Sequence, residues 1–326
     1  MTIWYGQRGP MLPITRLIRA YFAPVDRVTI APSIFDPARD GNFPLDSPPA
    51  PWIDAGWIMN FQRSAGTEIK ALRSGEKGTA QQQYRSKTDA TVDLDFRDWG
   101  KLQMAVSSGS QHMNLLAEEV NATPAPSGGI PAAQIATGPG STASEIIVGP
   151  GAVDAFEAGD LIAVDVDYAQ QTGYIGAGIP GAFVKNAADV LFDPNYVRRV
   201  TFNIGRVAAK TQTTLQLAQP LMAGVPQANS SVQKVVGFVD REGGSFFQEW
   251  SGLFVADSET GGRVFYYYPR LRPAIAAHEQ SRDIAGAFDA WSLHARLLAL
   301  PTKDNTDSEQ VLCYRSFVPA QNAGVY

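Results

Sequence analysis

The stretch Thr88–Phe96 constrains the fold most. Val92, Leu94 and Phe96 are apolar and alternate with Thr91, Asp93 and Asp95. A period of two is the mark of a strand with one buried and one wet face. Asp160–Tyr168 repeats the pattern, with Ile162, Val164, Val166 and Tyr168 against Leu161, Ala163, Asp165 and Asp167. Further strand candidates are Trp52–Phe61, Thr67–Ser74, Glu145–Val148, Val197–Ile204, Thr213–Leu217 and Val232–Val239. Ser245–Ala256, Arg263–Tyr268, Ala290–Leu300 and Gln310–Phe317 follow them. The best helix candidate is 97–120, where Trp99, Leu102 and Val106 fall at i, i+3 and i+7 behind Asp98 at an N-cap position, with a break at Ser107–Ser110. The expected fold class is mainly β: a β-sandwich or barrel with one flanking helix and an inserted small all-β domain.

Punctuation of the chain divides it further. Eight prolines between Pro10 and Pro49 leave room only for a short element at Ile14–Phe22, so residues 1–50 read as an extended N-terminal arm. The run Asn121–Ser144, rich in Pro and Gly, reads as a linker. A discontinuous main domain, 51–120 plus 241–326, is therefore expected to carry an inserted β-domain at 145–240. Between two strand candidates lies Gly75–Lys87, a polar stretch with Tyr84 as its one apolar anchor. It is long for a hairpin connection, and such an extension either reaches outward to a partner or is mobile.

Composition narrows the functional classes. Charged residues are 18% of 326, below the roughly 25% usual for soluble domains, so the surface needs other cover, for which burial against neighbouring subunits is one option. A net charge of −5 argues against electrostatic gripping of nucleic acid, although a mildly acidic wall would repel phosphate and let DNA pass. The lone Cys313 permits no intrachain disulfide and no Cys-based zinc site. The first residues lack the apolar core of a signal peptide, and no run approaches the ~18 apolar residues of a membrane helix. The expectation is a chain made, and soluble, in a reducing cytoplasm.

Chemical motifs are scarce. His112, His278 and His294 stand at no metal spacing, and His278-Glu279 lacks the second histidine of a zincin because Arg282 occupies that place. His294, in an alternating strand, reads as core or interface. Gly176-Ala-Gly178-Ile-Pro-Gly181 matches a dinucleotide fingerprint, but without a strand immediately before it or an amphipathic helix after it, it reads as a loop. Asp165 and Asp167 read as an ordinary wet face. Neither a nucleophile elbow nor a phosphate-binding loop is present. The chain is read as a non-enzyme without catalytic residue, cofactor or metal. The dense mix of charges and aromatics from Asp240 to Trp250 reads instead as a subunit contact, through Asp240, Arg241, Glu242 and Trp250.

The order of these elements resembles that of bacteriophage tail tube proteins. The resemblance is carried by Pro51-Trp52-Ile53-Asp54-Ala55-Gly56-Trp57-Ile58, by the strand pair around Gly75–Lys87, and by Thr88–Phe96 running into Asp98–Val106. It covers about half the chain, and the segment 145–240 departs from the smallest members. It implies a homohexameric ring whose strands line a common barrel, rings stacked into a virion tail tube, and contacts with other tail proteins. Genomic DNA would pass through the lumen without specific binding, and no membrane would be involved. The loop residues Gly75, Glu76, Lys77, Gln82, Tyr84, Arg85 and Lys87 would reach an adjacent ring. Other readings are a baseplate or capsid component, or a carbohydrate-binding or hydrolytic β-protein using Trp250, Tyr266, Tyr267 and Tyr268.

Overall fold

The computed structural model describes residues 17–74, 79–119, 132, 134–165, 172–175, 179–184, 197–258, 262–274, 278–283 and 289–319. In chain order the elements begin with β1 (Ile18–Pro24), α1 (Pro37–Asp40), β2 (Ile53–Ser74), β3 (Thr79–Phe96), α2 (Lys101–Ser108) and β4 (Gln111–Leu116). Next come β5 (Ile135–Ala136), β6 (Glu145–Ile147), β7 (Leu161–Asp165), β8 (Thr172–Ile175) and β9 (Ile179–Phe183). They continue with β10 (Ile204–Lys210), β11 (Thr214–Leu217), β12 (Ser231–Arg241), β13 (Trp250–Ser258) and β14 (Gly262–Pro273). The last are β15 (His278–Asp283), β16 (Asp289–Ala299), β17 (Thr302–Lys303), β18 (Gln310–Val311) and β19 (Tyr314–Pro319). The protein is mainly β, with large antiparallel sheets. Two compact units emerge: residues 1–25, 32–109 and 249–326, and residues 26–31 with 110–248.

The first unit is built on an eight-stranded sheet of order β15-β16-β3-β2-β1-β13-β14-β19. β14 also pairs β16 through Leu271–Pro273, so the pairing order returns on itself. Side chains cross the interior accordingly. Phe61 of β2 lies 4.9 Å from Phe254 of β13 and 5.7 Å from Tyr266 of β14, and Arg63 donates to the Tyr268 hydroxyl at 3.0 Å. Phe22 meets Phe96 and Phe254 edge-on at 6.2 and 5.8 Å. Burying each such ring removes enough apolar surface to stabilise the unit by roughly 1.5–3 kcal/mol. The alternation of β3 is obeyed: Val92, Leu94 and Phe96 are buried while Thr91, Asp93 and Asp95 face the other way. Gly252 is required by close approach, because a Cβ there would stand 2.4 Å from Leu271.

Residues 17–52 are not a free arm. β1 sits inside the sheet between β2 and β13, and Ala20–Ala23 are buried on both faces. The following segment folds back over the sheet, where Phe35, Phe43 and Trp52 pack with Tyr21, Leu253, Val255, Phe265 and Tyr267. Prolines did forbid regular structure over most of this segment. They did not forbid packing, and α1 is a single turn that uses Pro37 at its start and the Asp36 carboxylate as its cap. Tyr21 and Tyr267 donate to the carbonyls of Leu45 and Ser33, which fastens the cover.

The helix expected over 97–120 is shorter. Its first residue is Lys101, Gly100 rather than Asp98 occupies the cap, and Gly109 at φ 72° ends it in the left-handed region. Residues 111–116 then enter the second unit as strand β4. That unit holds a nine-stranded sheet, in which β6-β11-β10-β7-β12-β4-β9-β8 form the path and β5 pairs β12. It contains residues 110–119 and 26–31, a wider span than 145–240. Its main core gathers Ile146, Phe156, Ile162, Val164, Val207, Leu215 and Val232. Val197–Ile204 is not a strand: Arg198–Phe202 form a π-helical turn, and β10 starts at Ile204. The expected strand Ser245–Ala256 begins only at Trp250.

Candidate functional site

Two features of the first unit stand out: a β-ribbon and a polar concave face. The ribbon is the continuation of β2 and β3. Pairing with β1 stops at Ile58, and pairing of β3 with β16 stops at Ala90. From Gly66↔Asp89 to Ser74↔Thr79 the two strands pair each other, and among the described residues no third strand joins them. Nine residues of β2 span roughly 30 Å at about 3.3 Å each. Register shifts at Glu68/Ile69 and Leu72/Arg73 leave β3 one residue longer at each, and bulges of this kind increase local twist.

This corrects the long polar loop expected at Gly75–Lys87. Strand β3 begins at Thr79, so most of the stretch is paired backbone. Backbone hydrogen bonds carry a polar ribbon without any apolar alternation, which is why period two gave no signal there. Tyr84, Arg85, Gln82 and Lys87 lie opposite Lys70, Ile69, Leu72 and Glu68. Gly75, Glu76 and Lys77 lie outside the described residues.

The concave face is formed by the wet sides of β2, β3, β16 and β15. Asn60, Gln62, Ser64, Thr91, Asp93, Asp95, His278, Gln280, His294 and Arg296 border an open space of about 710 Å³. Register explains the grouping. His294 is directly opposite His278 on one side and Asp95 on the other, and Arg296 is opposite Asp93. The two imidazoles stack with centroids 4.7 Å apart and planes 26° apart. His294 Nδ1 lies 2.8 Å from Asp95 Oδ1, and Asn60 donates to the second Asp95 oxygen at 2.6 Å. His294 Nε2 stands 3.9 Å from Asp93, whose carboxylate is 3.5 Å from Arg296 Nε. Two carboxylates against one guanidinium leave this wall slightly acidic when both imidazoles are neutral. No single sequence motif marked this row.

The remaining expected residues are dispersed. Asp240 and Arg241 end β12 in the second unit, where Ser110 donates to Asp240 and Arg241 donates to Gln111, while Glu242 is exposed. Trp250 opens β13 in the first unit and is 1% exposed, so its indole packs in the chain's own core rather than on a subunit surface. Tyr267 and Tyr268 are buried with it, which removes them from any sugar-stacking platform. Asp165 is not on a wet face. Its side chain is 1% exposed and paired with Arg199, whose guanidinium is pushed below its usual range by burial. Asp167 lies outside the described residues, as do Gly176 and Gly178, while Ile179, Pro180 and Gly181 belong to strand β9 rather than to a helix start.

Among the described residues no helix is long and apolar enough to cross a membrane. Neither a scan against protein-family models nor a search of curated proteins returned a match.

Proposed function

We propose that this chain is a structural virion protein, the subunit of a bacteriophage tail tube. The observation that carries the reading is the β2–β3 ribbon. A two-stranded ribbon is marginally stable in water, and one that projects about nine residue pairs beyond its sheet gains most from a surface outside its own unit. A neighbouring copy in the next ring supplies such a surface. Tyr84, Arg85, Lys87 and Gln82, with Gly75, Glu76 and Lys77 beyond them, are the proposed contacts, and exposed Glu242 is assigned a lateral one.

The first unit is read as a barrel-like sandwich, supported by the β14–β16 pairing and by the Phe61 and Arg63 contacts across its interior. Its open edges, β15 and β19, would pair with neighbouring copies around a homohexameric ring and so remove an aggregation hazard. The polar face around Asp93, Asp95 and Arg296 is assigned to the lumen. Its slight acidity would let DNA slide past without specific binding. The second unit is the proposed insertion, facing other tail proteins.

Negative-stain electron microscopy of the purified chain over a range of concentrations tests the reading, with rings or hollow tubes expected. Replacing residues 67–88 by Asn-Gly closes the hairpin next to Gly66↔Asp89 and should give a folded chain that no longer polymerises. Normal tubes from that variant would remove the ribbon's assigned role. A wild-type chain that stays monomeric at every concentration would count against the tube itself.

A further inference from the structure

We infer that His278 and His294 form a closing site for one divalent transition-metal ion, completed by Asp93. The inference concerns the first unit alone and does not depend on the tube reading. It starts from register. His278 and His294 are a directly opposed pair on adjacent antiparallel strands, which puts both rings on one face within reach of each other. The rings already stack at 4.7 Å, on the wet side of the sheet.

Three chemical details favour a metal over a plain polar surface. First, Asp95 accepts from His294 Nδ1, which fixes the neutral ring as the tautomer whose Nε2 lone pair is available to a ligand. A carboxylate behind a histidine is the usual outer support of a metal-binding imidazole. Second, Asn60 donates to the other Asp95 oxygen, so this supporting carboxylate is itself held in place. Third, Asp93 offers an oxygen 3.9 Å from His294 Nε2, about half an ångström beyond the spacing of two donors on one tetrahedral ion, so it reaches a shared ion only by turning away from Arg296, 3.5 Å from the same oxygen. Two imidazoles and one carboxylate suit Zn²⁺, Ni²⁺ or Cu²⁺ and disfavour the oxygen-seeking Mg²⁺ and Ca²⁺.

As the side chains stand, no three His, Cys, Asp or Glu donors among the described residues converge on one point. Stacked rings present their nitrogens side by side rather than toward a common centre. Rotation of exposed His278 about its side-chain torsions would bring its nitrogen to the edge shared with His294 and Asp93. Metal therefore binds with closure of the site, leaving the open positions to water.

Isothermal titration of the full-length chain with ZnCl₂ in a non-chelating buffer tests this. One saturable site per chain is expected, with MgCl₂ unable to compete. His278→Ala and His294→Ala should each weaken Zn²⁺ binding about tenfold or more, and Asp95→Asn by about tenfold. Electron paramagnetic resonance of the unmutated chain with one equivalent of Cu²⁺ should show coupling to two imidazole nitrogens, a readout that needs no variant to fold. Absence of a saturable Zn²⁺ site, a Cu²⁺ spectrum without imidazole nitrogens, or Zn²⁺ binding unchanged in His278→Ala would each overturn the proposal.

Discussion

A carboxylate buried as deeply as Asp165 is costly to desolvate, and its ion pair with Arg199 offsets that cost. Removing one partner strands the other, so Asp165→Ala should lower stability by about 3 kcal/mol in urea titration. The double change Asp165→Leu with Arg199→Met should cost clearly less, because it strands no charge. Lys101 makes a second residue-scale case. Burial brings its ammonium down to about 7 from the usual 10.5. Between those values the unfolded chain binds more protons than the folded one, so stability rises with pH across about 7 to 10.5 and the full cost is felt below 7. The slope should approach about 1.4 kcal/mol per pH unit. Lys101→Met should remove that slope between pH 7 and 9 and be the more stable protein at pH 7, as read from urea midpoints at each pH.

At the scale of elements, the ribbon and the sheet should behave differently. In the unassembled chain, amides of Gly66–Ser74 have one partner strand, while β3 from Ala90 to Phe96 lies between β2 and β16. Hydrogen exchange should therefore be faster in the ribbon, and the proposed tube assembly predicts protection there. Equal protection in monomer and assembly would place the ribbon outside the contact. Legibility in the sequence followed the same division. β3 was readable because Val92, Leu94 and Phe96 meet a core on one side only. β7 was readable as a strand, but its faces were not, since Ile162, Ala163, Val164 and Asp165 are all buried. The β3 half of the ribbon, the central place of β1 and the strand β4 beyond the break at Ser107–Ser110 were not readable. Backbone pairing and long-range cover decided them, and neither leaves a local period. The histidine row was hidden for the same reason, because register joins residues that no motif places together.

Over the whole molecule, the tryptophans are divided unevenly. Trp52, Trp57, Trp99, Trp250 and Trp291 lie in the first unit, and the stretches 26–31 and 110–248 contain none. Intrinsic fluorescence thus follows the first unit, whereas far-UV circular dichroism follows both. With separate cores, the two urea transitions are expected not to coincide. Superimposable curves would mean that the units unfold as one. The interleaving of the units also sets an order of manufacture. When a ribosome has completed residue 248, β1, β2 and β3 exist, but β13 and β16, which flank them in the finished sheet, do not. The second unit can close during that interval, while half of the first waits with apolar strands such as Ala20–Ala23 uncovered. Slower synthesis across those roughly 140 residues is therefore expected to lengthen the exposure of the unfinished sheet.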